Sequence, residues 1–338
     1  MTTPYYKPSG RFTFNFFLLY VLLMLVSIPV LSFAYTYLIH YIPFIYANVI
    51  ITVCCGLALG YIVSLAVKKG KARNPAIVAI LTIVAACVLY YVQWSVYIPL
   101  VVSEVYGFSM TFGERLWETL YYFIYPDETF EAAMIINEYG AWTLNEVEIT
   151  GVFLLIIWIA EFIIIAVAAV VISRSQAVHP YCEEADGWYA AGETVDIDIP
   201  ADLDAMKAEL ESGDFTGLIQ HALNGFNDED NYMRLTFHKP PESISSEPYY
   251  MNIDKCTVEK TGKGKRQKSK VKAGNYLQFI MIDAKSADEI IENAVAAGSA
   301  AVPDDSIDSG NIYDSGNGMS MDAAAPDITG SVESPEDE

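Results

Sequence analysis

The chain has 338 residues, of which 53% are hydrophobic, and yet its formal net charge is -22. These values exclude a uniform globule, because the long apolar runs lie between residues 12 and 173, whereas most of the charge follows them. The five cysteines are odd in number, and three lie in apolar runs, which argues against a disulfide framework. We therefore predict a membrane domain followed by a soluble domain.

The first half contains four apolar runs, each long enough for the roughly 20 residues that cross a bilayer as a helix. Pro29 lies inside the first run and predicts a kink there. The runs predict a four-helix membrane bundle within residues 1–174. The predicted spans are residues 12–38, 43–67, 75–98 and 151–173.

The short loop after the second span has the densest positive charge between spans, with Lys68, Lys69, Lys71 and Arg73. The positive-inside rule places such a loop in the cytoplasm. With four spans, both termini are then cytoplasmic as well, and the segment 99–150 faces outward.

The outward segment has helical spacing over residues 112–125, and Pro126 begins a second short helix that reaches residue 136. We expect these helices to lie on the outer membrane surface or to cap the bundle. An ordinary extracytoplasmic loop is the alternative.

Glu161 is the single ionisable residue of the fourth span. An ionised carboxylate at the bilayer centre costs at least about 2.5 to 3.5 kcal/mol, so we expect Glu161 to be protonated or to line a wet cavity. In one interpretation it holds helices together by hydrogen bonds. In the other it belongs to a proton or cation path, with Asn48, Thr52, Thr82 or Gln93 as polar neighbours.

The second span carries small residues four positions apart, at Gly56, Gly60 and Ser64. A stripe of this kind lets another helix approach closely. Packing inside the bundle is the first interpretation, and homodimerisation is the second.

The polar half opens with a turn around Cys182 that looks like the first half of a zinc knuckle. Ala185 stands where the second cysteine is expected, and the turn around Cys256 has Glu259 at the matching position. Two lone cysteines and His179 do not make a four-ligand site. We therefore predict no metal and no cofactor, and these two cysteines and His179 remain only weak candidate ligands.

Residues 175–297 are predicted to form a small cytoplasmic α+β domain. Strand patterns between residues 232 and 283 predict a β-hairpin with an added strand. Ser286 and Glu289 match a capping box at the start of the last helix. Three segments have helical spacing: residues 201–211, 214–223 and 286–297.

The tip of the predicted hairpin is strongly basic. Near a cytoplasmic membrane surface, such a patch attracts anionic headgroups at about 1 kcal/mol per residue, and an acidic partner is an equivalent target. A solvated loop is the plain alternative, and no nucleic acid is expected. The patch consists of Lys255, Lys260, Lys263, Lys265, Arg266, Lys268, Lys270 and Lys272.

The last stretch, residues 298–338, has ten carboxylates and no Lys or Arg. It is unable to build a core and is predicted to be a disordered acidic tail. Its charge is suited to shield the basic hairpin, an interaction that high salt would relieve.

Several short stretches of the membrane half resemble a group of uncharacterised bacterial membrane proteins with four spans. Members of that group carry a Cys-x-x-Cys knuckle after the last span, from which this chain departs at Ala185. The resemblance implies a bacterial inner-membrane protein and brings no activity. The stretches are Pro8-Ser9-Gly10, Tyr41-Ile42-Pro43-Phe44-Ile45-Tyr46, Lys69-Gly70-Lys71, Tyr90-Tyr91 with Trp94, and Trp158 with Glu161.

The sequence has no Gly-rich phosphate loop, no His-Glu-x-x-His motif and no dinucleotide fingerprint. We therefore expect a non-enzymatic anchor or scaffold in the membrane lipids, whose cytoplasmic domain binds a protein partner or the membrane surface. A homo-oligomer is also expected. The alternative is a small oligomeric transporter or channel component that uses Glu161.

Overall fold

The computed structural model of the chain describes residues 4–42, 44–140, 143–144, 147–225, 231–241, 247–261, 268–298 and 300–301. Four of its helices are long and apolar enough to cross a membrane, so the chain is a multi-pass membrane protein. Their positions confirm the four predicted spans. They are α1 (Phe14–Tyr41), α2 (Ile45–Gly70), α3 (Pro75–Val105) and α6 (Gly151–Ala177).

Two prolines lie inside these helices without ending them. Pro29 is within α1, and α3 continues through Pro99, past the end predicted at residue 98. A proline removes one helical N–H, but a spanning helix tolerates it because its surroundings satisfy the freed backbone groups.

Helices α2 and α6 touch through their backbones at the glycine stripe. A Cβ atom built at Gly56 would lie 2.7 Å from the Ile165 carbonyl oxygen, and one at Gly60 would lie 2.6 Å from the Ala169 carbonyl oxygen. Ser64 is half-buried on the same helix. The stripe therefore packs inside this bundle, the first of the two interpretations.

Two shorter helices separate α3 from α6. The first begins with a capping box in which Thr111 and Glu114 bond each other's backbone. A small hairpin then leads to α6. These elements are α4 (Phe112–Ile124), α5 (Pro126–Tyr139), β1 (Thr143–Leu144) and β2 (Val147–Glu148).

The α4–α5 hairpin lies alongside the bundle. Arg115 donates a 3.2 Å hydrogen bond to the Tyr37 hydroxyl of α1. The Tyr91 hydroxyl, in the middle of α3, donates to the carbonyls of Tyr122 and Phe123 at the end of α4, at 3.0 and 2.9 Å. α4 therefore follows α3 back toward its middle, instead of lying on the outer surface or capping the bundle.

The C-terminal domain is α+β, as predicted. Its five-stranded sheet has the order β8-β7-β6-β5-β9, and all neighbours are antiparallel. Three helices share one hydrophobic core with the sheet. The elements are β3 (Tyr181–Cys182), β4 (Gly187–Trp188), β5 (Ala190–Asp198), α7 (Leu203–Ser212), α8 (Thr216–Asn224), β6 (Asn231–Lys239), β7 (Tyr249–Thr261), β8 (Lys268–Ile282), α9 (Ala284–Ala296) and β9 (Ala300–Ala301).

Three details differ from the expectations. β5 and β9 extend the predicted three-stranded arrangement to five strands. Asp283, rather than Ser286, caps α9, because its Oδ1 accepts the Ser286 N–H at 2.9 Å. The predicted tail contains β9 at its start, and from residue 302 onward it lies outside the described residues.

Candidate functional site

Glu161 lies half-buried on α6. Nearby on that helix, Tyr90 of α3 donates a 2.9 Å hydrogen bond to the Trp158 carbonyl, and its ring lies 5.6 Å from that of Phe162. The phenols of Tyr35, Tyr90 and Tyr97 lie in the electrostatic neighbourhood of the carboxyl group, and the hydroxyls of Tyr35 and Tyr90 bond other partners. Tyr35 belongs to α1, and the other two tyrosines belong to α3. We call Glu161 and these three tyrosines the tyrosine–glutamate cluster.

The cluster continues into α2 through Tyr35. The Tyr35 hydroxyl lies 3.2 Å from Thr52 Oγ1, and Thr52 donates a 2.8 Å hydrogen bond to the Asn48 carbonyl. Asn48 Oδ1 is buried, and no residue in the described part of the chain bonds it. Thr52 and Asn48, two of the predicted neighbours of Glu161, thus lie next to Tyr35.

The other two predicted neighbours differ in position. Gln93 is buried on α3, where its carbonyl accepts a 3.3 Å bond from Thr36 and its Oε1 has no partner among the described residues. Thr82 instead shares a 2.8 Å bond with Ser173. Ser173 is twelve residues from Glu161 on α6, or about 18 Å along the helix, so Thr82 is not a neighbour of the carboxyl group.

Chemically, the cluster combines one carboxyl group with three phenols. Two amide oxygens, those of Asn48 on α2 and Gln93 on α3, are buried without a partner among the described residues, and they are acceptors only. Within the described part of the chain, the Glu161 carboxyl group forms no hydrogen bond to another helix, so the helix-binding interpretation has only electrostatic proximity behind it. The unbonded acceptors are what the proton or cation interpretation has in its favour.

The second site is the joint between the bundle and the sheet domain, where the loop after α2 meets the β3–β4 turn. Lys71 Nζ donates to the Asp186 carbonyl at 2.7 Å and to its Oδ2 at 2.5 Å. Trp188 Nε1 donates to the Lys68 carbonyl at 2.9 Å. The bonds from Lys71 and from the Tyr181 hydroxyl lower the pKa of Asp186 below its usual range.

Arg73 fills the inside of this joint. Its side chain is only 8% exposed, and its Nη1 donates a 2.6 Å bond to Glu183. The guanidinium carbon lies 4.4 Å from the centre of the Tyr181 ring, a cation–π arrangement. Arg11 adds a 3.7 Å contact to Glu183. Arg73 and Lys71, two basic residues of the loop that predicts the orientation, therefore bind the sheet domain.

The N-terminal segment is also part of the joint. Tyr5 forms an antiparallel bridge with Ile280 of β8, and the Tyr6 N–H donates to the Phe279 carbonyl at 2.9 Å. The residues before α1 thus extend the five-stranded sheet at its β8 edge. β8 is close to the other end of the chain.

Two histidines are buried beside the joint. The rings of His179 and His238 lie 5.4 Å apart, and both contact Phe279. His238 Nε2 lies 3.0 Å from the Asn252 amide. Burial, with Lys68 nearby, lowers the pKa of His179 to about 4, and burial beside His179 lowers the pKa of His238 to about 3. Both rings are therefore neutral at pH 7.

The two candidate cysteines lie far apart. Cys182 Sγ accepts a 3.3 Å bond from the Ala185 N–H and is near Tyr250 at the start of β7. Cys256 follows six residues later in that strand, about 20 Å away at about 3.3 Å per residue. Within the described ranges, no three His, Cys, Asp or Glu side chains are placed to hold a metal ion. His179 packs on a histidine ring and not beside Cys256.

The basic patch lies on the ribbon of β7 and β8. Lys255 and Lys272 are exposed. From Tyr250, which contacts the joint through Tyr6, to Thr261 the strand spans eleven residues, or about 36 Å. The ribbon thus leads away from the joint. Three basic residues of the patch lie outside the described residues: Lys263, Lys265 and Arg266.

Several residues of these sites were not predicted from the sequence. In the joint they include Tyr181, Glu183 and Asp186, and in the cluster Tyr35 and Tyr90. A usable signal was the pair of acids Glu183 and Asp186 in a turn close behind the last span, on the same side of the membrane as the basic loop. The tyrosines resemble ordinary span residues, and only the tertiary fold identifies them.

No known protein family, curated protein or solved structure matches this chain. The function therefore has to follow from the geometry of the cluster and the joint.

Proposed function

We propose that this protein is a non-enzymatic anchor of the bacterial inner membrane, which holds its α+β domain at the cytoplasmic face for a protein partner. The joint is the observation that supports this function. A tether needs only a flexible linker, whereas here ion pairs, an indole hydrogen bond and the β-bridge of Tyr5 with Ile280 fix the domain to the bundle. Such a joint presents the domain in one orientation.

The positive-inside rule supports the cytoplasmic position that we propose. Lys68, Lys69, Lys71 and Arg73 lie at the end of the bundle that carries the sheet domain. The domain and the basic loop are on one side of the membrane because they are in direct contact.

The partner surface that we favour is the β7–β8 ribbon. Its exposed Lys255 and Lys272 fit an acidic protein surface. The ribbon reaches about 36 Å from the joint, far enough to meet a protein in the cytoplasm, which we favour over the headgroups of the same membrane. The membrane surface and a second copy of the chain are the other candidates for this surface.

The test is purification of the intact chain from its native membrane in a mild detergent, followed by native mass spectrometry. A truncation after Arg174 and the double variant Lys255→Glu, Lys272→Glu are run beside it, and Lys285→Glu, also an exposed lysine, is the matched control. We expect a stoichiometric partner with the intact chain and with the control, but with neither the truncation nor the double variant. A partner that binds the truncation equally, or a homo-oligomer alone in every sample, would contradict the proposal.

A second candidate function is proton or cation movement through the tyrosine–glutamate cluster. The specific support is the pair of buried amide oxygens, on Asn48 and Gln93, that no described residue bonds. Flux into proteoliposomes should stop in Glu161→Gln and persist in Glu131→Gln, which alters an exposed carboxylate of α5. Equal flux in both variants, or none in the parent, would exclude this function.

A further inference from the structure

The α4–α5 hairpin reaches deep beside the spanning helices. At one end, Asn137 of α5 donates a 2.9 Å bond to the Gly151 carbonyl at the start of α6. At the other end, Tyr91 binds the last carbonyls of α4. Tyr91 is sixteen residues from Pro75, about 24 Å along α3. Because a hydrocarbon core is about 30 Å thick, the turn of the hairpin lies within it or at its edge.

The polar backbone at this turn is satisfied, as lipid requires. Pro126 has no N–H, so the Tyr122 carbonyl loses its helical donor. The Tyr91 hydroxyl donates to that carbonyl at 3.0 Å, and Thr129 Oγ1 approaches it to 2.5 Å. Backbone groups in a bilayer need partners inside the protein, and these two hydroxyls supply them.

The hairpin leaves a gap between α3, α5 and α6, since it is fastened mainly at its two ends. The gap is a cavity of about 520 Å³, inside the range of about 300 to 1,000 Å³ that is usual for small-molecule sites. Trp94 and Trp158 form part of its wall, with their ring centres 4.5 Å apart. Ala133 lines the cavity from α5.

The cavity wall offers almost no free polar group. Three lining residues carry hydroxyls, and each hydroxyl already donates to a backbone carbonyl: Tyr90 to Trp158, Tyr91 to Tyr122 and Phe123, and Thr129 to Tyr122 and Tyr125. The N–H groups of the lining side chains are the two indoles, Trp94 and Trp158. A polar ligand would leave most of its own donors and acceptors unpaired, which is unfavourable. The wall therefore selects an apolar occupant.

The mouth of the cavity faces the surroundings of the bundle. Phe130 is 70% exposed and Ile159 is 51% exposed, and both line the cavity. Ile159 is on a spanning helix, at a depth where the surrounding medium is hydrocarbon. The cavity thus opens sideways into the membrane rather than into water.

We propose that this cavity binds one hydrocarbon chain of a membrane lipid, taken from the leaflet on the hairpin side of the bundle. The depth, the apolar wall and the lateral mouth support this occupant together. The proposal depends on the membrane bundle and is independent of the anchor function and of ion movement.

The experiment compares lipid retention by full-length variants. Ala133→Phe fills the cavity, and Ile135→Phe adds a ring at an exposed position of the same helix that does not line it. After delipidation in detergent, native mass spectrometry should show a retained phospholipid on the parent and on Ile135→Phe. The retained fraction should fall about tenfold in Ala133→Phe, which corresponds to about 1.4 kcal/mol. Equal retention in both variants, or detergent adducts alone, would overturn the proposal.

A second measurement tests whether the hydrocarbon chain of the lipid lies in the cavity. With Trp117, Trp142 and Trp188 replaced by Phe, the remaining Trp94 and Trp158 report on the cavity. Phospholipids with brominated acyl chains should quench this fluorescence, and Ala133→Phe should weaken the quenching at least about twofold. Quenching that Ala133→Phe leaves unchanged would place the lipid chain outside the cavity.

Discussion

Lys71 and Asp186, 115 positions apart in the chain, form an ion pair of 2.5 Å that fastens the loop after α2 to the turn after α6. Both residues have a left-handed backbone, with φ of 54° and 49°. Each residue therefore lies in a sharp turn, and the ion pair joins the two turns. The ion pair of Arg73 with Glu183 lies beside this contact.

Arg73→Ala should loosen the joint. It removes the closest partner of Glu183 and the cation over Tyr181, and hydrogen bonds to charged groups contribute about 1.5 to 3 kcal/mol. Because Glu183 is partly exposed, we expect the lower part of this range.

The measurement is proteolysis of the detergent-solubilised chain between the last span and the β3–β4 turn. Cleavage should accelerate somewhat more than tenfold in Arg73→Ala, in proportion to a change of at least about 1.5 kcal/mol. Arg174→Ala changes an exposed arginine of α6 and should cleave like the parent. Identical rates for the two variants would show that the Arg73 contacts do not fix the domain.

The sheet domain should lose stability in acid because of its two buried histidines. Their pKa values of about 4 and about 3 lie below the ordinary value of about 6.5. The unfolded chain therefore binds protons that the folded chain does not. The contribution of the two neutral histidines to the free energy of unfolding is complete above about pH 6.5 and declines as the pH falls toward 4.

Unfolding, followed by Trp188 fluorescence in a chain whose other four tryptophans are replaced by Phe, tests this prediction between about pH 4 and 8. His179→Phe should flatten the pH dependence, because one of the two groups no longer titrates. His221→Gln alters a histidine of α8 outside the pair and should retain the dependence of the parent. A His179→Phe variant with undiminished acid sensitivity would exclude the histidine pair as the cause.

Gly60→Leu should destabilise the bundle, because even a Cβ atom there would lie 2.6 Å from the Ala169 carbonyl oxygen. Overpacking of this kind costs about 1 to 3 kcal/mol. Thermal unfolding in detergent measures the loss. Gly113→Ala is the control, since nothing lies within 4 Å of an added Cβ there, and it should be neutral or slightly stabilising.

Tyr91→Phe should release the turn of the α4–α5 hairpin. The two carbonyls at the end of α4 lose a donor in a region without water, at about 1 to 3 kcal/mol for unsatisfied groups. Hydrogen exchange in this hairpin should accelerate roughly tenfold. Tyr46→Phe, at a site that is 84% exposed, should leave the exchange unchanged. Hydrogen exchange as slow in Tyr91→Phe as in the parent would mean that the Thr129 hydroxyl is a sufficient donor to hold the turn.

The four spans were predictable because an apolar run of about 20 residues has one stable solution in lipid, a helix with all backbone bonds internal. The ends were less predictable. Pro99 predicted that the third helix ends at residue 98, but α3 continues to Val105. Proline is a weaker signal of a helix end in a membrane bundle than in a soluble helix.

β5 was missed because its pattern is half acidic. Val195 and Ile197 alternate with Asp196 and Asp198, and aspartate is depleted in strands. Arg234 of β6 binds Asp196 through two bonds of 2.8 and 2.9 Å, which makes an acid acceptable within the sheet. That partner comes from 38 residues away, and local patterns do not contain it.

The candidate sites were predictable only in part, for the same reason. Glu161 stood out because a single carboxyl in a span is rare, and Asn48 followed from its polarity. The tyrosines around Glu161, and the attachment of Tyr5 to Ile280, depend on contacts between distant segments. No spacing in the sequence encodes such contacts.

The bridge between Tyr5 and Ile280 also determines whether the number of membrane crossings between them is even or odd. Residues paired in one sheet edge lie on one side of a bilayer, so the chain between them crosses it an even number of times. The rule holds whichever side that is, and it excludes a crossing by only one of α4 and α5. If ancestors of this chain kept the same bridge, spans were gained or lost only in twos.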